Sequence, residues 1–339
     1  CHVVYFAFGV KTITEAESTA LRTDAQPPVI DTQPQDTETV VGKPVSLTVA
    51  AQSRDGGALS YQWYKTDLFD KDGTAIDSAT TAAYEAPAET TGITYYYCVV
   101  TNTIPDGEGV GNTTASVKSG AAKVTVTKDE PEALTIVGRS RIVTYGDADF
   151  TLQTSGGSGT GKVTWESDHP DVVSVDGTGE IAILKASDTP VTITATKAED
   201  HQYKASSAQI TVTVNKKTLT VTADDKSREY EQPNPALTYK ITGFVNGEDA
   251  SVLTKQPTAS CTAGADAAVG THPITVSGGE AENYEFVYVS GTLTVTKIGQ
   301  ATLSILQGSQ IDKTYGDGAF TLSVTGGSGN GKVSWQSSD

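Results

Sequence analysis

Lys123-Val-Thr-Val-Thr-Lys128 alternates valine with threonine, and the same alternation recurs in Ile210-Thr-Val-Thr-Val-Asn-Lys216 and Gly291-Thr-Leu-Thr-Val-Thr-Lys297. Side chains on a β-strand point alternately to its two faces, so each segment predicts a strand with one buried and one solvent-facing side. Because another alternating segment follows each of them within a few residues, each predicts the end of a domain. The sequence therefore predicts an all-β chain of tandem domains joined by short linkers.

An internal repeat gives a second view of this organisation. The segment 143–150 matches 313–320, with Thr-Tyr-Gly-Asp in both, and Gly156-Gly-Ser-Gly-Thr-Gly-Lys-Val-Thr-Trp165 matches 326–335. Each match is offset by 170 residues, as from Tyr145 to Tyr315. Two blocks in the same order and at the same spacing predict that 301–339 is a truncated second copy of the domain at 133–216.

Length and charge limit the functions open to this chain. Its 339 residues suit about three sandwich domains of ~100 residues each. The net charge is −17, from 24 basic and 41 acidic residues, and it disfavours nucleic acid and anionic membranes as partners. No apolar run reaches the ~18 residues that a membrane span needs, so we expect no direct membrane insertion by this chain.

Several residue patterns imitate catalytic or metal sites without completing them. The segment Gly156–Lys162 lacks the Ser or Thr that follows the lysine in a phosphate-binding loop, and the four histidines are scattered. The carboxylates near Asp70 and at Asp129–Glu132 raise a Ca²⁺ alternative, but polar loops explain them more simply. We therefore expect no enzyme activity, no metal and no cofactor.

Residues 27–128 resemble an immunoglobulin domain. The resemblance rests on Val45-Ser-Leu-Thr-Val49 as strand B, Tyr61-Gln-Trp-Tyr64 as strand C and Tyr96-Tyr-Cys98 as strand F. It implies a β-sandwich with Trp63 in the core. Since Val49 stands where the family often has a first cysteine, Cys98 is expected to be a buried, reduced thiol without a partner.

Two further domains resemble families found in bacterial adhesin-like proteins. Residues 133–216 resemble the bacterial Ig-like group 2 repeats, through Thr144-Tyr-Gly-Asp147 and the glycine-rich turn. Residues 217–297 resemble the MBG domain, through Asn234-Pro-Ala-Leu-Thr-Tyr239 and Gly243-Phe-Val-Asn-Gly247. Between residues 247 and 253 one helical turn or two could form, so a β-grasp-like layout and a plain sandwich both fit this domain.

The short linkers and the chain ends complete the predicted architecture. Residues 1–26 parallel the last strands of the 27–128 domain and predict the end of a preceding Ig-like repeat. Short joints limit bending, so we expect tandem immunoglobulin-like β-sandwiches in a monomeric rod. The sequence contains no Met and stops inside a strand pattern, so we expect the chain to be part of a longer protein.

These resemblances imply a non-catalytic stalk or adhesin region of a bacterial cell-surface or secreted protein, which projects or presents binding sites. Spacer modules of a secreted polysaccharide-degrading enzyme, or a structural envelope or S-layer component, are the alternatives. A glycan or a host or matrix protein is the expected class of ligand.

One set of residues is a candidate ligand site. If Trp63 points into the core, strand alternation directs Gln62 and Tyr64 outward, and likewise Tyr95 and Tyr97. Strands C and F are neighbours in an immunoglobulin sheet, so the three tyrosines should share one exposed face with Gln62 at its edge. Tyrosine offers apolar surface and a hydroxyl together, which suits sugar and protein ligands.

Overall fold

A computed structural model describes residues 24–105 and 113–338, so most of the predicted strands at 1–26 lie outside the described residues. The described chain forms two compact units. The first contains residues 24–105, 113–138, 153–166 and 194–209. The second contains residues 139–152, 167–193 and 210–338.

The first unit includes the immunoglobulin-like sandwich, which is built on one large sheet in the order β2-β10-β8-β5-β6, with β9 also on β8. The pairs β1–β4 and β3–β7 lie outside that sheet. The core contains Trp63, Leu47 and Val124, each no more than 2 % exposed. The strands are β1 (Val29–Thr32), β2 (Thr37–Val40), β3 (Val45–Thr48), β4 (Ala50–Gln52), β5 (Ala58–Thr66), β6 (Thr74–Ala75), β7 (Ala83–Ala86), β8 (Gly92–Ile104), β9 (Thr113–Lys118) and β10 (Ala122–Thr127).

Strand pairing sets which side chains of this sandwich face inward. Trp63 lies opposite Cys98 in the antiparallel pair β5–β8, and both side chains are fully buried. Cys98 is a free thiol, and desolvation by burial raises its pKa to about 11. The expectation of a buried cysteine without a disulfide partner is confirmed.

The next stretch of chain belongs partly to each unit. In the first unit β11 pairs with β14, and in the second β12 runs parallel to β19 while β17 lies between β13 and β16. Ile181, Val173 and Val212 are fully buried in the second unit. The strands are β11 (Leu134–Ile136), β12 (Arg141–Thr144), β13 (Phe150–Thr151), β14 (Thr154–Gly156), β15 (Val163–Ser167), β16 (Val173–Val175), β17 (Glu180–Ile183), β18 (Ser187–Lys197) and β19 (Ser206–Asn215).

Residues 217–297 form a sandwich of two sheets, β22-β20-β27 and β21-β28-β25-β24, with a separate pair β23–β26. Val221, Ile274 and Leu293 from these two sheets share one core. The single helical element here is a 3-10 turn of three residues, so the β-grasp-like alternative is wrong. The elements are β20 (Lys217–Ala223), β21 (Lys226–Glu229), β22 (Tyr239–Thr242), η1 (Ala250–Val252), β23 (Leu253–Lys255), β24 (Thr258–Ser260), β25 (Gly270–Ser277), β26 (Glu280–Ala281), β27 (Tyr284–Val289) and β28 (Gly291–Thr296).

The last described residues form one antiparallel pair, β29 (Leu303–Ile305) with β30 (Val324–Gly326). Nearly all of their side chains are exposed. Throughout residues 24–105 and 113–338, no helix has the length and apolar character required to span a membrane.

Candidate functional site

The predicted tyrosine face of the immunoglobulin-like sandwich lies on the outer side of β5 and β8. Tyr64 stands directly opposite Tyr97, and Tyr95 is opposite Thr66. The rings of Tyr64 and Tyr97 stack, with centroids 5.1 Å apart and planes 1° from parallel. The side-chain directions inferred from strand alternation are therefore correct.

The predicted exposure of Tyr97 is wrong, because its side chain is only 3 % exposed. Lys118 Nζ lies 3.9 Å above the ring centroid, and the phenol oxygen accepts a hydrogen bond of 2.9 Å from Gly73 N. A Cβ on Gly73 would lie 2.4 Å from Lys65 O, so only glycine lets this loop approach so closely. The loop between β5 and β6 covers a tyrosine that the strand pattern placed in solvent.

Gln62 is also held by the fold. Its Nε2 donates hydrogen bonds to Trp63 O at 3.0 Å and Ile76 O at 2.7 Å, and the residue is half-buried. Because the Gln62 amide already donates to two backbone carbonyls, this side chain stabilises the edge of the sheet. Tyr64 and Tyr95 are therefore the predicted residues with partly exposed rings.

A second aromatic group extends the face and was missed in the sequence. The Phe69 ring lies 5.5 Å from that of Tyr95, and Phe69 is 60 % exposed. Leu68 and Ile93 are also exposed large apolar residues. The signal was present as the apolar pair Leu68-Phe69 within an acidic loop, since exposed apolar groups are a mark of interaction surfaces.

Two clefts border this part of the sandwich. One of about 270 Å³ is lined by Tyr97, Lys118 and Asp70 together with neighbouring loop residues. A larger one of about 620 Å³ lies at the end of the sandwich, with Tyr96 and the carboxylates of Asp67 and Glu89 in its lining. Over the described parts of the chain, no three His, Cys, Asp or Glu side chains converge in a way that would hold a metal ion.

The glycine-rich turn at 156–161 is filled by the protein itself. The Asp200 carboxylate accepts backbone hydrogen bonds from Thr160 at 2.6 Å, Gln202 at 2.9 Å and Tyr203 at 2.8 Å. Those bonds, first that of Tyr203, hold the Asp200 pKa below its ordinary value. Within the glycine-rich turn the Asp200 carboxylate thus takes up the amide and the hydroxyl of Thr160.

The second unit contains a cluster that joins residues 139–152 to the sandwich at 217–297. Tyr145 Oη donates to Glu248 Oε1 at 2.9 Å, and Tyr284 Oη donates to Glu248 Oε2. The two tyrosine rings meet edge to face with centroids 5.7 Å apart. Burial, followed by the Glu248 hydrogen bond, raises the pKa of Tyr284 to about 12. This Tyr145–Glu248–Tyr284 group is called the joint cluster below.

Backbone and ion-pair contacts continue the same joint. Asn283 Oδ1 accepts a bond of 3.0 Å from Ala186 N, and Asn283 O accepts one of 3.0 Å from Lys217 N. Lys185 Nζ lies 2.6 Å from a Glu282 carboxylate oxygen. Strand β19 ends at Asn215 and β20 begins at Lys217, so one residue separates them.

Two segments of the chain match models of protein families. Residues 126–217 match the atrophied bacterial Ig domain, and residues 219–294 match the MBG domain of the YGX type. The chain thus contains bacterial Ig-like and MBG domains. Domains of these kinds are typical of extracellular and cell-surface proteins, and Ig-like families are typically non-catalytic. The expected resemblance to a bacterial Ig-like surface protein is confirmed.

Among solved structures, fragments built from tandem immunoglobulin domains are similar to this chain. An I-band fragment of titin is 12 % identical, over 81 % of this chain and 99 % of the fragment, with a TM-score of 0.30. Immunoglobulin domains 1–5 of Sidekick-1 are 14 % identical, over 81 % of this chain and 60 % of theirs, with a TM-score of 0.27. None of the curated proteins compared with this chain matches it.

Proposed function

We propose that this chain is a spacer region of a bacterial surface protein, a stalk that holds binding sites away from the anchoring surface. The observation that carries the proposal is the joint in the second unit. A spacer can hold a binding site at a fixed distance only if its successive domains do not reorient freely. Here one residue separates β19 from β20, and buried aromatic and hydrogen-bonded contacts connect the chain before and after it.

A flexible linker would leave each domain its own orientational freedom. The joint cluster removes Tyr145 and Tyr284 almost entirely from water, at 5 % and 2 % exposure. Both hydroxyls donate to a single carboxylate, and hydrogen bonds to a charged group are stronger than neutral ones. Such a contact favours one arrangement of the chain on either side of it.

NMR relaxation of the full chain tests the spacer. Backbone amides of 139–152 and 217–297 should report one common rotational correlation time. The double variant Glu248→Ala, Asn283→Ala should give them separate, shorter ones. Lys255→Ala is the matched control, because it removes only the 3.1 Å Lys255–Glu280 ion pair on the surface of the 217–297 sandwich. Independent tumbling of these segments in the parent chain would sink the spacer proposal.

We further propose that the tyrosine face contributes binding, with Tyr64, Tyr95 and Phe69 as contact residues for a glycan or a host or matrix protein. Tyr97 and Gln62 support these residues from below and at the edge. The observation in favour is the exposed Phe69 ring packed on Tyr95, beside the cleft that reaches Tyr97 and Lys118. Aromatic rings with one exposed side are common anchors in recognition surfaces.

The test uses the full chain on panels of neutral and acidic glycans and of matrix proteins. We expect Tyr64→Ser with Tyr95→Ser to abolish any binding found, with the melting temperature kept. Tyr97→Ser is left out because Tyr97 is buried under the loop. Tyr288→Ser, which changes a partly exposed tyrosine of the 217–297 sandwich, is the control. Unchanged binding by the double variant would mean that the tyrosine face has only a structural role.

A further inference from the structure

The motif Thr-Tyr-Gly-Asp occurs twice and makes the same turn both times. Thr144 N donates to Asp147 Oδ2 at 2.8 Å, and Thr314 N donates to Asp317 Oδ2 at 2.9 Å. The return bond from the Asp amide to the Thr carbonyl is 2.9 Å in the first turn and 3.0 Å in the second. Short-range contacts alone therefore build this turn.

The first turn has a partner. Tyr145 is 5 % exposed and donates to Glu248, with the Tyr284 ring against its own. A Cβ on Gly146 would lie 2.4 Å from Val245 Cγ2, so the absence of a side chain there lets the loop of the MBG domain approach. Tyr and Gly of the motif thus both face the same neighbouring domain.

The second turn has the same shape, but its side chains are exposed to solvent. The side chain of Tyr315 is fully exposed. A Cβ on Gly316 would meet no described atom within 4 Å, and the backbone φ there is +104°, against +87° at Gly146. The turn is preorganised, and preorganisation lowers the ordering cost of binding.

We propose that the turn Thr314–Asp317 is a docking surface for a second MBG domain with the chemistry of residues 244–248 and 284. The domain would present a carboxylate to accept the Tyr315 hydroxyl, an aromatic edge for its ring and a small aliphatic side chain over Gly316. The inference deepens the proposed spacer function, on which it rests, by naming the partner that this turn would bind. The partner is identified by the contacts made at the first turn.

The test extends the full chain so that the second repeat continues. Residue 339 corresponds to residue 169 of the first copy, so one extension adds residues 170–216 and the other adds residues 170–297 after Asp339. Nitration of tyrosine by tetranitromethane, read by peptide mass spectrometry, reports exposure of each phenol. Tyr145 in the same molecule is the internal standard for a docked tyrosine.

We expect Tyr315 to react readily in the parent and in the shorter extension, and as slowly as Tyr145 in the longer one. In the longer extension, Glu248→Ala together with Val245→Lys in the added copy alone should restore the reactivity of Tyr315. A reactive Tyr315 beside a folded added copy would overturn the docking surface. If the shorter extension already protects Tyr315 from nitration, then the Ig-like domain itself covers this residue, and the docking surface is contradicted. The relaxation test of the first joint does not involve Tyr315, so the spacer and the docking surface can fail separately.

Discussion

The turns at 144–147 and 314–317 share their sequence and their hydrogen bonds but differ in surroundings. The same holds for the strands that precede and follow each turn in sequence, since Leu134 pairs with Gly156 and Leu303 pairs with Gly326. Yet Leu134 is 5 % exposed and Leu303 is 50 % exposed. Strand pairing and turn shape therefore follow from the residues next to one another, whereas burial depends on what packs against them from elsewhere in the chain.

Leucine truncation should separate the two copies most strongly. Leu134→Ala removes a buried side chain and should cost about 2–5 kcal/mol of local stability, because it loses apolar burial and leaves a cavity. Leu303→Ala should stay within about 0.5 kcal/mol, as expected for an exposed position. Hydrogen exchange of the β14 and β30 amides measures the free energy of opening in each copy. Equal losses would mean that the second copy has a core of its own.

Alanine in place of the turn glycine should give a smaller contrast. Gly316→Ala should cost about 1–2 kcal/mol, the penalty of a left-handed backbone for a residue with a Cβ. Gly146→Ala carries that penalty and also forces Val245 away, which should add about 1–3 kcal/mol. The two melting curves, compared with the parent, give the difference. If Gly146→Ala costs no more than Gly316→Ala, then the approach of Val245 does not depend on the missing side chain.

Alkaline pH should loosen the first turn through Tyr284. The Tyr284 pKa is about 12 in the folded chain and 10.0 ordinarily, so the unfolded chain loses this proton first. The contribution to stability is complete below pH 10.0 and is lost as the pH rises toward about 12.

Ultraviolet titration of tyrosinate with and without Tyr284→Phe isolates that one phenol. Glu248→Gln should lower its pKa part of the way, because burial is the larger cause and persists. A Tyr284 that ionises together with exposed tyrosines in the folded chain would contradict the joint cluster.

The candidate ligand site shows which properties of a side chain strand alternation can predict. It correctly placed Tyr64, Tyr95 and Tyr97 on one side of the sheet, because the direction of a side chain depends on the parity of its position. It gave the wrong exposure for Tyr97, since a loop of another segment folds over that ring and Gly73 hydrogen-bonds its hydroxyl. The contribution of Phe69 was missed for the same reason, as its contact with Tyr95 is made by a loop.

The sequence by itself determined the strands, the tandem sandwiches, the unpaired Cys98 and the repeated turn, because period, spacing and short-range hydrogen bonds are written in neighbouring residues. Only the tertiary structure decided that 217–297 is a sandwich, that Tyr97 is covered and that Tyr145 and Tyr284 share Glu248. Those outcomes depend on residues far apart in the chain, as with Tyr145 and Glu248 at a separation of 103 positions. Contacts at such range follow from packing, and no local pattern encodes them.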